Sequence, residues 1–352
     1  MSNEPVRAKT FSLASAPKSV RDLFDAQERA ECSWNWFETL AETTLDEGEQ
    51  AQIATLESAS GNLLSAIPLV SRPDRAMRGL TAPYTTVFRP PLGRANDAAI
   101  LGQFVAQAAH VRLRLDCLPA DDPGIRAFVE GLGQGGLLTS RFEHFVNWFE
   151  VISEFSEFWR GRGSQLRSTI KRKSAALSPN GRIRFEHWDL TESLESGCDI
   201  YQAIYAKSWK PAEPHERFIS TLMRKMGPNN EAQLGVALID GEPAAAQIWL
   251  TKGHFATIFK LAQDPQFDRF SVGSLLTHWM LREFCENEKI REIDFGRGDD
   301  AYKKTWLHSR RIREGIIASN PRTLQGLGSV VRDVLPTLSS AMLRRIFGRS
   351  KA

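Results

Sequence analysis

The chain has 352 residues, of which 42% are hydrophobic, 25% charged and 9% aromatic, and its formal net charge is +3. That length exceeds one compact core and points to two domains, and the composition excludes a disordered or collagen-like chain. The near-neutral balance excludes a general polyanion binder and gives no reason to expect DNA as a partner.

Met1–Ser12 carries no apolar signal core, and no apolar run approaches the roughly 18 residues of a membrane span. Cys32, Cys117, Cys198 and Cys285 are far apart and form no C-x-x-C pair, which argues against a zinc site or a disulfide framework and fits a reducing compartment. A cytoplasmic location follows as an expectation.

Taken in chain order, Ser33 is placed to cap a helix beginning at Trp34. Gln52–Glu57 and Leu63–Val70 flank Ser58-Ala-Ser-Gly-Asn62, a hairpin signal. Ile100–His110 has the spacing of an amphipathic helix and leads into the alternating strand Val111–Cys117. Gly131-Leu-Gly-Gln-Gly-Gly136 matches G-x-G-x-x-G, but a helix precedes it where the dinucleotide motif needs a strand. It reads as a glycine-rich helix end. Phe142–Ile152 suits a strand, and its aromatics also suit a buried helix.

Glu154–Leu177 is helical in pattern and basic in its second half, where Arg160, Arg162, Arg167, Lys171, Arg172 and Lys173 have no acid between them. Such a run is either a solvated face or one side of a phosphate-facing groove, with Arg167 and Lys171 as candidate substrate contacts.

A regular alternation follows Pro179-Asn-Gly181. Arg182–Trp188 is predicted as a strand, Leu194–Trp209 and His215–Met226 as helices, and Ala232–Ile239, Ala244–Leu250 and Phe255–Ala262 as a three-strand meander joined by tight turns. Then come a helix over Ser271–Glu288, a strand Glu292–Phe295, a short helix Asp300–Trp306 and a last strand Arg311–Ala318.

Two stretches carry candidate chemistry. Arg269-Phe-Ser271-Val-Gly273-Ser274 opens a long helix with small residues, where free N–H groups and the dipole suit a phosphate, although a plain Ser271 cap has the same sequence. Asp294-Phe-Gly-Arg297-Gly-Asp299-Asp300-Ala-Tyr302-Lys303-Lys-Thr-Trp306 gathers carboxylates, cations and a phenol into a Gly-broken turn after a strand, where α/β folds place chemistry. A capped helix start with a solvated charge cluster is the alternative. Among the histidines no metal spacing occurs, and His278 is the one placed to act as a base. No G-x-S-x-G, S-x-x-K or Walker motif is present.

The element order from Arg182 to Ala318 resembles a GNAT-type acyltransferase domain. The segments Ile239–Trp249, Phe259–Ala262, Ser271–Leu275 and Asp294–Lys303 together resemble the cellulose-biosynthesis-type (CelD/BcsL-like) branch, which is akin to Fem-type aminoacyltransferases. The resemblance implies an α/β (α+β) fold of two tandem GNAT-like units with a mixed, centrally antiparallel sheet: a degenerate first unit over 1–150, an acyltransferase domain over 151–320 and a basic tail over 321–352. It implies direct attack of an amine on an acyl-CoA thioester, acyl-CoA serving as co-substrate with no permanently bound cofactor.

Carried onto this chain, Ser271, Gly273 and Ser274, with Arg269 beside them, stand where pyrophosphate-binding N–H groups lie, with Val272 in place of a usual glycine. Lys303 matches the lysine that meets the developing oxyanion in Fem-type relatives. Asp299 is the first candidate base, with Asp300 or His278 second; Tyr302 is the candidate donor to the leaving thiolate. Gln247, Lys260 and Arg297 are expected beside the acceptor.

The acceptor is expected to be an amine of an envelope lipid, for example a sphingoid-like amine giving a ceramide-type product, or of an envelope polysaccharide. A stripe of Leu324, Leu327, Val331, Leu335, Leu338, Met342 and Ile346, with Arg332, Arg344, Arg345, Arg349 and Lys351 beside it, suits an anionic membrane surface and equally a packed helix. An aminoacyl-tRNA-dependent Fem-like transferase and a non-catalytic partner of a polysaccharide-synthesis complex remain as alternatives.

Overall fold

A computed structural model describes residues 5–287, 290–334 and 336. The described residues divide into two compact units: residues 5–27, 31–145 and those from 312 to 334 form the first, and residues within 28–30 and 146–311 the second.

The first unit contains β1 (Val6–Ser12), α1 (Lys18–Asp25), α2 (Trp34–Thr43), β2 (Gln50–Ser58), β3 (Leu63–Ser71), β4 (Met77–Gly79), α3 (Ala95–Ala108), β5 (Arg112–Pro119), α4 (Pro123–Gln134) and the start of β6 (Leu138–Val151). Ser33 caps α2 through a hydrogen bond from Trp36 N to its Oγ, as its sequence position predicts. β1 through β4 run antiparallel, β4 pairs parallel with β5, and the last part of β12 (Ser309–Ser319) closes that order beside β5.

The second unit follows the same plan. After α5 (Phe155–Arg160) and α6 (Ser164–Leu177) come β7 (Ile183–Trp188), α7 (Leu194–Lys207), α8 (Phe218–Met226), β8 (Ala232–Ile239), β9 (Glu242–Lys252), β10 (Phe255–Gln263), α9 (Val272–Asn287), β11 (Glu292–Arg297) and α10 (Ala301–Trp306). β7 through β10 are antiparallel, β10 and β11 are parallel, and the last part of β6 pairs antiparallel with β11. Among the described residues each unit therefore has six strands in the same relative order, and each takes its sixth strand from the other stretch of chain. The repeat is one of topology, with no sequence period to announce it. The domain limits expected at 150 and 320 differ from the unit limits for this reason: β12 starts in one unit and ends in the other.

α7 packs on β9 and β10, as does α9. The core beneath α9 includes Trp249, Leu276, Phe284, Ile293, Phe295 and Trp306, and each large apolar side chain so buried contributes about 1.5–3 kcal/mol. The basic helical stretch breaks into α5 and α6 at Gly161-Arg-Gly163. α11 (Leu324–Ser329) follows β12. Leu335, Leu338, Met342, Ile346 and the tail cations from Arg344 onward lie outside the described residues.

Candidate active site

β10 and β11 pair at only three positions, Phe255 with Glu292, Ala256 with Ile293 and Thr257 with Asp294, before they part. Both strands are irregular at that level. β10 shifts register against β9 between Ile258 and Lys260, and β11 shifts against β6 between Asp294 and Arg297. Parallel strands that separate leave unpaired peptide groups facing the gap, which a ligand backbone can meet.

The turn after β11 is built around Asp294, which is 1% exposed. Its Oδ1 accepts from Gly296 N at 2.7 Å and from Asn147 Nδ2 at 2.6 Å, and its Oδ2 meets Arg311 at 2.7 Å. Arg29 pairs with Glu292 and lies 3.6 Å from Asp294. A buried carboxylate is tolerable when each lone pair is used in this way. Gly296 (φ 65°) and Gly298 (φ 104°) supply the left-handed backbone that turns the chain into α10. At the other end of α10, Arg162 donates to the carbonyls of Trp306 and Phe158 and grips Glu150 at 2.6 and 2.8 Å. This cation of the basic run is a buried strut.

The short helix so anchored presents Tyr302 and Lys303. Tyr302 Oη lies 3.1 Å from Thr277 Oγ1 on α9, and Ser274 also hydrogen-bonds it. Burial pushes the phenol up to about 12, so it keeps its proton. Lys303 Nζ donates to the carbonyl of Arg297 and lies 3.3 Å from Asp300. Burial holds its pKa below the usual lysine value, with Asp300 opposing. An ammonium has three donors, so one stays available.

Lys260, in the parted half of β10, donates to both oxygens of Glu213 at 2.7 and 2.8 Å. Glu213 and Lys210 belong to the α7–α8 connection, which the sequence reading passed over. Burial pushes Lys210 down to about 8, helped by the charges of Lys260 and Lys303 and opposed by Glu213. Three lysines thus converge. Among the described residues no hydrogen-bond or ion-pair partner reaches Lys210 Nζ. A signal for this loop existed in Trp209-Lys-Pro-Ala-Glu-Pro214, where prolines hold a lysine, a carboxylate and an exposed tryptophan in a fixed connection.

Several expected roles need correction. Gln247 is 1% exposed and donates to Gly273 O at 3.0 Å and Thr277 Oγ1 at 2.8 Å, while Trp249 Nε1 donates to it at 3.0 Å. It joins β9 to α9. Leu261 is its cross-strand partner, so Lys260 faces the other side of the sheet; the pair cannot share one acceptor floor. Asp299 accepts from Trp148 Nε1 at 2.9 Å, and that bond, with Lys304 and Arg310 nearby, holds its carboxyl below the usual range. This weakens it as a base. Burial against Phe155 and Trp159 pushes His278 down to about 4.

At the head of α9, Ser271 takes the left-handed conformation (φ 54°), while Val272 is helical and fully buried. The glycine-like position is therefore Ser271. The N–H of Gly273 already donates to Gln263 Oε1 at 3.2 Å, whereas no partner is found for the Ser274 N–H among the described residues. Arg269 is exposed over the ring of Phe270, 4.7 Å away, and its carbonyl accepts from Lys173. Arg297 reaches the site with its carbonyl, and Asp300 is exposed beside Lys303. Arg167 and Lys171 line a groove with His278, apart from the three lysines.

Residues 164–304 match the model of the family described as an acetyltransferase (GNAT) domain. No curated protein matches the chain. Among solved structures, FemX superposes with a TM-score of 0.60 at 10% identity, over 88% of this chain and 96% of that one. The C-terminal domain of a putative lysylphosphatidylglycerol synthetase from Agrobacterium fabrum gives a TM-score of 0.56 at 16% identity, over 95% and 98%. L-PGS from Bacillus licheniformis gives 0.51 at 10%, over 95% and 97%. At such identities the likeness is one of fold. The mixed α/β architecture is that of the GNAT acyltransferases, and the family match lies within the second unit.

Proposed function

We propose that the protein is an N-acyltransferase that moves an acyl group from acyl-CoA to an amine. The observation that carries this reading is the parting of β10 and β11 with Lys210, Lys260 and Lys303 gathered around it. A thioester lying between the strands meets peptide groups that have no strand partner, and its carbonyl oxygen gains negative charge when the amine attacks. Lys303 is the donor for that oxyanion, since it is half-buried and its position is set by the turn. The amine loses its proton on forming the amide bond. Lys210, poised near neutral pH, accepts that proton, with Asp300 as the second candidate. The carbon–sulfur bond then breaks, and Tyr302, which retains its proton, donates a hydrogen bond to the departing sulfur. Ser274 offers its N–H to the coenzyme phosphates, whereas the N–H of the left-handed Ser271 already donates to Asp268 O at 2.9 Å.

The acceptor class in this reading is an envelope lipid amine, sphingoid-like amines included, or an envelope polysaccharide amine as in the cellulose-type branch. An exposed apolar stripe supports the lipid version: Leu324, Leu327 and Val331 are 92%, 48% and 57% exposed. Basic residues follow them in the sequence. Such a surface suits peripheral attachment to an anionic membrane. No helix among the described residues is long and apolar enough to cross one.

Thermal-shift titration with acetyl-CoA, palmitoyl-CoA and aminoacyl-tRNA tests the donor, since a ligand that prefers the native state raises its melting temperature. An acyl-CoA is expected to do so, and the chain length that shifts it furthest identifies the acyl group. Stabilisation by the tRNA alone overturns the CoA reading in favour of a Fem-like one.

A further inference from the structure

A groove of about 730 Å³ lies between α5, α6 and α9. It lies off the face of α9 used by the site above. Thr277 meets Tyr302, whereas His278, the next residue and about 100° further round the helix, faces the groove. Trp159 and Ile170 give it an apolar floor, and Arg160, Arg167 and Lys171 supply three cations. No carboxylate lines it among the described residues. Arg167 uses its Nε on the carbonyl of Arg162 at 3.0 Å, and no partner for its other donors is found among the described residues. Arg160 and Lys171 have no carboxylate partner among the described residues. The neighbouring cation on α9, Arg282, has Glu286 at 3.6 Å, and its field still reaches His278. His278 therefore brings no compensating charge of either sign.

The serines complete the pattern. Arg167, Lys171 and Ser174 recur at steps of four and three, so they share one face of α6 over about 10 Å; Ser178, the residue capping that helix, also lines the groove but donates its hydroxyl to Ser174 O at 2.8 Å. Cations held together in this way without an acid repel one another, and a ligand of high negative charge density relieves that repulsion. Three cations with the hydroxyls of Ser156 and Ser174 match linked phosphates better than a single carboxylate, because guanidinium and hydroxyl groups each bind separate phosphate oxygens.

We propose that this groove is a second binding site, which recognises the pyrophosphate group of a phosphorylated ligand. The inference does not rest on the acyl-transfer reading, because binding here is measured without turnover.

Calorimetric titration of the full chain with inorganic pyrophosphate tests it, using Arg167→Ala/Lys171→Ala against Arg172→Ala. Arg172 is the neighbouring exposed cation and lies outside the groove. Removing two charge-assisted contacts is expected to weaken binding by about tenfold to a hundredfold or more, with Arg172→Ala within about twofold of wild type. Trp159 fluorescence should change on binding in the wild type and in Arg172→Ala. Because Arg167, Lys171 and Arg172 are exposed, melting curves of the variants should match and separate lost binding from lost folding. Repeating the series with a nucleoside diphosphate and with vesicles carrying a lipid diphosphate distinguishes a soluble ligand from a lipid headgroup; loss of either in the double variant alone supports the site. Equal loss in both variants, or no saturable binding of any of these probes, overturns it.

Discussion

The two units share a plan and differ where α3 and α9, their matching helices, meet the helix that follows the fifth strand. In the first unit, α3 and α4 are pressed together along glycines. A Cβ on Gly102 would stand 2.2 Å from Phe128 O, and one on Gly131 would stand 2.0 Å from Ala99 O. Backbones that close leave no room for a ligand between them. In the second unit, α9 and α10 meet through the hydroxyls of Thr277 and Tyr302 instead. The parallel pair differs as well: β4 is a three-residue strand, while β10 runs on past its last pairing with β11 through Lys260. One unit has sealed the seam that the other keeps polar. The acyl-transfer reading proposed above uses the polar seam of the second unit.

The largest expected effect tests the open seam. Lys303→Ala should lower kcat by about 10² to 10³, the loss expected for one preorganised oxyanion donor, or about 2.7–4 kcal/mol. Donor affinity should change far less. Lys304, half-exposed with Asp299 at 3.5 Å, is the internal control, and its alanine variant should stay close to wild type. Equal losses in the two variants, or a loss of donor affinity only, would reassign Lys303 as a phosphate anchor.

A smaller effect tests the closed seam. Gly131→Ala should destabilise the chain by about 1–3 kcal/mol, because its methyl group meets backbone. Gly133, on the same helix with nothing within 4 Å of its would-be Cβ, should gain about 0.5–1 kcal/mol on the same change. Urea melts of the two variants give the signs directly. Matching signs would mean that the seam is not tight.

The smallest effect sharpens the proton path. If neutral Lys210 accepts the amine proton, kcat/KM should rise with pH through about 8, the value to which burial and its cationic neighbours push it. Lys210→Arg keeps the charge and should lose that limb, because an arginine stays protonated throughout. A profile unchanged in Lys210→Arg would remove the lysine from the mechanism.

Much of this architecture was legible in the sequence. The meander β8–β10 announced itself through apolar runs split by Asp240-Gly241 and Lys252-Gly253, because turn chemistry and strand alternation are local. The site was legible only in part. Tyr302 and Lys303 stood out because their turn is contiguous, whereas Gln247 was misassigned because its facing depends on the bulge at Phe259. Lys210 was missed altogether. Its meaning comes from Lys260 and Lys303, which are distant in sequence, and a lysine in a loop carries no mark of the burial that shifts it. Gly131–Gly136 shows the converse, a nucleotide-like motif in which Gly131 and Gly135 serve helix contact.

The exchanged sixth strands set a timetable for synthesis. β6 emerges from the ribosome before the remaining strands of the second unit, so that unit finds its edge partner already made. The first unit has no such advantage: its β5 pairs with a strand that includes Ser319, opposite Arg112. Until that late segment is translated, β5 offers an unpaired edge, the kind of surface that invites aggregation. The same geometry means that severing the chain near its midpoint leaves each product without one of its strands.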